Sequence, residues 1–351
     1  MIVTVTLNAA WDRTYFVETF EPGRTHVVSE VRGCPGGKGV NVARAFKALG
    51  GRALATGLAG GPTGQAITAG LAAEGIECDF FTIAGESRST LAVVDRRSGT
   101  VTELRERGPS VTAAELGAFE RHLRRLLAEA TAGFCVISGS LPPGAPPETA
   151  ARLVRLAREA GARTVLDTSG PALAAGAAAG PTLIKPNYEE ALALQTAAGS
   201  DSADIATPEA ARARRARRAG RTESETRLAR AARLIGSLTG PEMVVISLGE
   251  EGALLSWEGR LWHAAVSLDR VVNAVGSGDA MVAGLALGLE RGEDPPGALR
   301  LGVAAGAANA LTDTAGRVRP DDFADLLGRV KVTELPFRRA PSPFAVGEGH
   351  G

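Results

Sequence analysis

Paired cysteines are missing from this chain. Its cysteines, Cys34, Cys78 and Cys135, are odd in number and far apart, with no C-x-x-C pair, which speaks against a disulfide framework and for reduced thiols in a reducing compartment. The four histidines fall outside any H-E-x-x-H pattern, so a zinc site has no visible basis. Cys34 precedes a glycine loop, yet no histidine is paired with it in sequence to activate it as a nucleophile. Net charge is absent too: 39 Lys plus Arg balance 39 Asp plus Glu. That balance argues against a nucleic acid held by bulk charge, and leaves open a local basic pocket for a small phosphorylated ligand. No apolar run reaches the roughly 20 residues that span a bilayer. The start, MIVTVTLNAAWDRTYF, lacks the regions of a secretory signal. The expectation is a cytoplasmic protein with no nucleic-acid or membrane partner.

What is present is an ordinary globular composition, 44% hydrophobic and 22% charged over 351 residues, enough for one large α/β domain. Short apolar β-type runs recur at 2–7, 53–58, 134–137, 164–166, 182–184, 243–246 and 253–256, with helical segments between them. Val42, Phe46 and Leu49 form one such helical stripe before Gly50, and another helix is expected around 150–160. Alternation of this kind predicts a parallel sheet covered by helices. Residues 13–32 and 79–104 instead carry β-branched and aromatic residues without helical period, which predicts a small separate antiparallel layer needing a cover. The Ala/Arg-rich stretch 197–227 reads as a solvated helix or insertion, and the tail 336–351 as disordered.

Three glycine-rich places carry chemistry. In CPGGKGVN, Gly36, Gly37 and Gly39 let backbone approach a ligand just ahead of a helix, where Lys38 and Asn41 add donors for a phosphate or polyhydroxy compound. Neither a Walker A loop nor a dinucleotide fingerprint fits these residues. In LDTSG and KPNYEE, Asp167 and Lys185 to Glu190 follow buried β-type runs, at the sheet end where open α/β folds bind ligands. Asn187 and Glu190, three apart at a helix start, fit either a hydrated Mg²⁺ or a reciprocal capping pair. In VGSGDAMVAG, Asp279 is either a helix-start acid or a general base beside a nest of N–H donors.

Taken together, PGGKGVNVARAFKALG, SGSLPPG, DTSG, KPNYEEA, SLGEEGAL and VGSGDAMVAG resemble, in order and spacing, the ribokinase-like sugar kinases of the phosphofructokinase B family. The likeness covers residues 1–330, and TLNAAWDRT with SRST resembles the 1-phosphofructokinase and tagatose-6-phosphate kinase branch. The resemblance implies a three-layer α/β/α domain with a mostly parallel sheet and a small β-sheet lid, from about 12–33 and 79–106. It implies ATP as phosphoryl donor with Mg²⁺, and a monovalent cation as a further option. The apolar face of the lid, which needs a cover, makes a homodimer through the lid the expected assembly.

Residue by residue, it makes Asp279 the catalytic base and Gly276, Ser277 and Gly278 the anion hole. Asp12, Gly37, Lys38 and Asn41 would hold sugar hydroxyls, Arg88 the phosphate already on the substrate, and Ser140 would join them. Lys185 and Asn187 would lie near the triphosphate, with Asn187 and Glu190 at the Mg²⁺. Ser247, Gly249 and Gly252 would line the nucleotide, and Val303 and Ala307 would bound the adenine. Ala9 and Thr90 depart from the family pattern on the substrate side. The expected reaction is fructose 1-phosphate to fructose 1,6-bisphosphate, with 6-phosphofructokinase or tagatose-6-phosphate kinase activity as alternatives. A catalytically silent sugar-phosphate sensor is the reading from a different class.

Overall fold

Residues Ile2–Thr6 (β1), IVTVT, are buried along their whole length. They pair in parallel with Ala53–Ala59 (β4) on one side and Phe134–Ser138 (β9) on the other. An apolar run with no polar alternation needs cover on both faces, and it gets it. Val3 and Val5 pack with Cys135, Ile137 and Leu166 in one core, whereas Ile2, Phe134, Val136 and Val165 face the other.

The computed structural model describes residues 1–199, 227–238 and 240–336. Between β1 and β4 come β2 (Ala10–Val17), β3 (Glu30–Gly36) and helix α1 (Lys38–Ala48). After β4 follow α2 (Gly61–Ala73), β5 (Glu77–Cys78), β6 (Phe81–Thr82), β7 (Arg88–Asp95), β8 (Val101–Arg105) and α3 (Ala113–Ala130). Beyond β9 stand α4 (Glu148–Glu159), β10 (Arg163–Asp167), α5 (Gly170–Ala178), β11 (Leu183–Ile184), α6 (Tyr188–Gly199) and α7 (Arg227–Ile235). The chain continues with β12 (Met243–Ser247), β13 (Ala253–Trp257), β14 (Arg260–Ala265), α8 (Ser277–Glu290), α9 (Pro295–Ala310), α10 (Pro320–Arg329) and β15 (Lys331–Leu335).

The large sheet runs β15-β14-β13-β12-β11-β10-β9-β1-β4-β5, with β6 also on β4. It is parallel from β12 through β5 and antiparallel only at the β12 to β15 edge. Helices α1, α8, α9 and α10 cover one face, while α3, α4, α5 and α7 cover the other. Helices α8 and α9 come so close that glycines are required between them. A Cβ on Gly284 would stand 2.5 Å from the Leu301 carbonyl oxygen, and one on Gly288 2.7 Å from the Ala298 Cα.

A separate four-stranded sheet has the order β3-β2-β7-β8. Its extent differs from the sequence expectation. Residues 81–82 pair with β4 in the large sheet, while β2 starts at Ala10 and β3 runs on to Gly36. Two-residue pairing is decided by where β4 ends, which local pattern does not reveal. Trp11 and Pro35 of this sheet pack against Gly70 of α2, but Val27, Val31, Val101 and Leu104 stay exposed. Strand β15 lies just beyond the 1–330 limit expected from sequence, so the domain extends slightly further than its motifs. The expected insertion and tail lie outside the described residues for 200–226 and 337–351.

Candidate active site

Asp279 lies in the first turn of α8, buried to 6% exposure. Its Oδ2 accepts a hydrogen bond from Asn41 Nδ2 at 2.8 Å. The Asn41 amide is itself oriented: Arg44 Nη1 donates to its Oδ1 at 2.9 Å, and Arg44 is pinned by the Pro35 carbonyl and by Glu74. Burial, reinforced by the negative charge of Asp167, raises the Asp279 carboxyl to about 7, against the opposing influence of Asn41, Lys38 and Lys185. A carboxylate ready to exchange a proton near neutrality suits a general base.

Asp167, at the C-terminal end of β10, is 1% exposed and gathers two cations. Lys38 Nζ is 3.3 Å from its Oδ1 and Lys185 Nζ 3.6 Å from its Oδ2. The carboxylate holds the Lys38 ammonium above its usual range. Lys185 also borders the glycine turn, since a Cβ on Gly278 would stand 3.3 Å from its Nζ. Sequence alone gives Asp167 a position and no role. An acid ending a buried strand is a signal, but the convergence of both lysines on it is a tertiary fact.

The glycine turn ahead of α8 leaves backbone donors unpaired among the described residues. Gly276 caps the helix at φ 84, tight against Ala315 and Gly316. Ser277 N–H donates to the Ala274 carbonyl at 3.2 Å. Of the three expected anion-hole donors, then, Ser277 is occupied. The N–H groups of Gly276, Gly278 and Asp279 have no acceptor among the described residues, as expected of a helix start. Asn309 of α9, fully buried, braces this turn by donating to the Val275 carbonyl at 2.9 Å and to Ser277 Oγ at 3.2 Å. Sequence reasoning misses Asn309, because one amide in an Ala-rich helix gives little signal.

The substrate-side candidates form the adjoining wall. Burial raises the carboxyl of Asp12 in β2, against the opposing influence of Thr90, Arg88 and Arg44. It lies against Gly36, where no Cβ would fit. Gly37, at φ 110, turns the chain into α1. Arg88 Nε donates to the Asn8 carbonyl at 3.1 Å and its Nη1 to the Glu106 carbonyl at 3.3 Å. Arg88 and Ser140 line one cleft of about 420 Å³. Gly139, next to Ser140, donates its N–H to the Asp167 carbonyl at 2.9 Å, and a Cβ on it would stand 3.7 Å from Lys38 Cβ, so the Ser140 rim of the cleft is joined through the backbone to the Asp167 cluster. A larger cleft, about 630 Å³ and lined by Arg270, Arg317 and Arg319 among others, contains none of these candidates.

The nucleotide-side candidates are neighbours too. Ser247 N–H donates to the Pro186 carbonyl at 3.1 Å, joining the SLG turn to KPN. Gly249 and Gly252 take positive φ of 67 and 84 in that turn. Ala307 is partly exposed, whereas Val303 is only 4% exposed and belongs to the core. Asn187 and Glu190 form the capping pair: Asn187 N–H donates to Glu190 Oε2 at 2.9 Å and Glu190 N–H to Asn187 Oδ1 at 2.8 Å. Glu190 Oε1 remains without a hydrogen bond among the described residues.

Comparisons with known proteins give the family and the fold. The profile of the pfkB family carbohydrate kinases matches residues 5–321. A tagatose-6-phosphate kinase of Staphylococcus epidermidis is 32% identical over 337 residues, 95% of this chain and 100% of that protein. Phosphofructokinase-2 from Escherichia coli, solved with potassium, superposes with a TM-score of 0.78 at 30% identity, covering 93% of this chain and 98% of its own. A phosphofructokinase-like structure from Staphylococcus aureus gives a TM-score of 0.74 at 25% identity, covering 96% and 100%. From β1 to the start of α10, the chain belongs to the pfkB family of carbohydrate kinases.

Proposed function

We propose that this kinase transfers the γ-phosphoryl group of ATP to a ketohexose phosphate, with fructose 1-phosphate as the first acceptor and fructose 1,6-bisphosphate as product. The observation that carries the reading is Asp279, buried, bonded to Asn41 and raised to about 7 beside unpaired N–H donors. Asp279 takes the proton of the acceptor hydroxyl as its oxygen bonds to the γ-phosphorus and the bond to the ADP oxygen breaks. Charge on the moving group meets the N–H groups of Gly276, Gly278 and Asp279 together with Lys185. Asp12, Gly37, Lys38 and Asn41 orient the sugar, and Ser247, Gly249, Gly252 and Ala307 line the nucleotide.

Glu190 Oε1, left without a hydrogen bond among the described residues by the capping pair, fits a hydrated Mg²⁺ held through water, with the Asn187 side chain beside it. When bound, the ion neutralises triphosphate charge. A monovalent cation and a homodimer through the exposed face of the small sheet belong to the same reading. No helix among the described residues is long and apolar enough to cross a membrane.

Tagatose 6-phosphate is the second acceptor, favoured by the S. epidermidis relatives. Coupled ADP release with fructose 1-phosphate, fructose 6-phosphate and tagatose 6-phosphate ranks the acceptors by kcat/KM. Binding of all three without turnover would replace the enzyme by a sensor. Arg88→Ala is expected to raise KM for the sugar phosphate by about 10–100-fold, the worth of a charged hydrogen bond, while KM for ATP holds. A selective loss of ATP affinity would move Arg88 out of the acceptor site.

A further inference from the structure

We propose that Arg107, which no family motif singles out, is a second phosphate-holding residue beside Arg88, so that the acceptor site selects a phosphomonoester dianion. The proposal rests on the kinase reading and deepens it.

The cleft of Arg88 and Ser140 is lined by Asn8, Glu106 and Arg107 as well, and by residues 141–145. Arg88 alone is a poor match for a dianion. Its Nε and Nη1 are committed to the carbonyls of Asn8 and Glu106, which leaves Nη2 as the nitrogen with no hydrogen bond among the described residues. The Arg107 side chain, exposed on the same cleft, makes no hydrogen bond or ion pair among the described residues. Glu106, the acid in the lining, has one carboxylate oxygen committed, since its Oε2 accepts the Ser89 N–H at 2.8 Å.

The backbone of Arg107 is fixed rather than left as loose loop. Asn8, 7% exposed, donates from Nδ2 to the Arg107 carbonyl at 3.0 Å and to Ser140 Oγ at 3.3 Å, tying the two rims of the cleft together. Its Oδ1 is buried without a partner. Gly108 holds φ 95 directly against that amide, where no side chain would fit. A tethered backbone, a guanidinium with free donors and a half-committed Arg88, bonded to the carbonyl of Glu106 just before Arg107, together offer two guanidinium groups to phosphate oxygens in one cleft. The same buried Asn8 thus serves the substrate end of the site through Arg107 and Ser140.

The test uses the full chain as wild type, Arg107→Ala, Arg107→Lys and Arg107→Gln, with thermal melts to establish folding. Loss of a charged hydrogen bond predicts a KM for the ketohexose phosphate ~10-fold or more higher in Arg107→Ala and Arg107→Gln. Partial recovery is expected in Arg107→Lys, with kcat and KM for ATP within about twofold of wild type, as for uniform binding of a non-reacting group. Inorganic phosphate, as a competitive inhibitor, weakens in parallel. If wild type turns over and Arg107→Ala keeps the same KM and the same phosphate inhibition, the proposal is overturned while the kinase reading stands. If wild type turns over no ketohexose phosphate, the kinase reading falls. Calorimetric binding of inorganic phosphate then decides Arg107: loss in the alanine variant supports it, and unchanged binding overturns it.

Discussion

Asparagine at position 279 is expected to lower kcat by about 10²–10⁴-fold with modest change in KM, the range for lost general-base assistance. Steady-state ADP release on the preferred sugar phosphate checks it, and near-normal kcat would remove Asp279 from the chemistry. The carboxyl stands at about 7 in the folded chain against 3.8 for an unperturbed aspartate. Activity should therefore climb with pH through about 7 as the base loses its proton, and the asparagine variant should lack that limb.

The same shift bears on stability. Below about 3.8 both folded and unfolded chains hold the proton, and the group costs nothing. Between that value and about 7 the unfolded chain releases its proton first, so stability falls as pH rises through this window. Above it the folded state carries an ionised buried carboxylate, at a cost on the order of 4 kcal/mol. Asp279→Asn should then melt higher than wild type at pH 8 and converge with it in acid.

Alanine at Gly276 is the second change of large effect. The residue holds φ 84, and a Cβ there would lie 2.6 Å from Gly316 N and 2.8 Å from Ala315 Cα. Left-handed backbone at a residue with a Cβ costs about 1–2 kcal/mol by itself, and the contact forces the turn away from the 315–316 backbone. Displaced donors at a developing charge cost about 10²–10³ in kcat. Because the turn is braced by Asn309 and not by the substrate, KM for the sugar phosphate should change far less. A variant with normal kcat would show that the N–H groups of this turn do not meet the phosphoryl group.

Much of this architecture is legible in residue pattern. IVTVT, FCVIS and MVVIS read as strands because every residue is apolar or β-branched or nearly so, and the Val42 and Phe46 stripe marks α1 because its period is helical. The strand ends place Asp167 and KPN at one edge, which is why the site could be expected there. The pairing of Asp167 with both lysines is not legible. Nor is the Arg44 to Asn41 to Asp279 relay, because the glycine turn and α1 lie far apart in sequence and meet only through packing. Asn187 and Glu190 show the converse. Spacing predicts the capping pair and the metal pair equally, and the capping bonds form.

The place of β1 between β4 and β9 has a consequence for biosynthesis. As the chain leaves the ribosome, IVTVT can pair with residues 53–59 early, but its other edge waits for residues 134–138. For that interval an apolar strand edge faces solvent with unsatisfied N–H and C=O groups, a template for pairing with another nascent chain. The helices α2 and α3 and the second half of the small sheet are synthesised during the wait. Slow decoding or truncation between 60 and 134 should therefore yield aggregates rather than a stable N-terminal fragment.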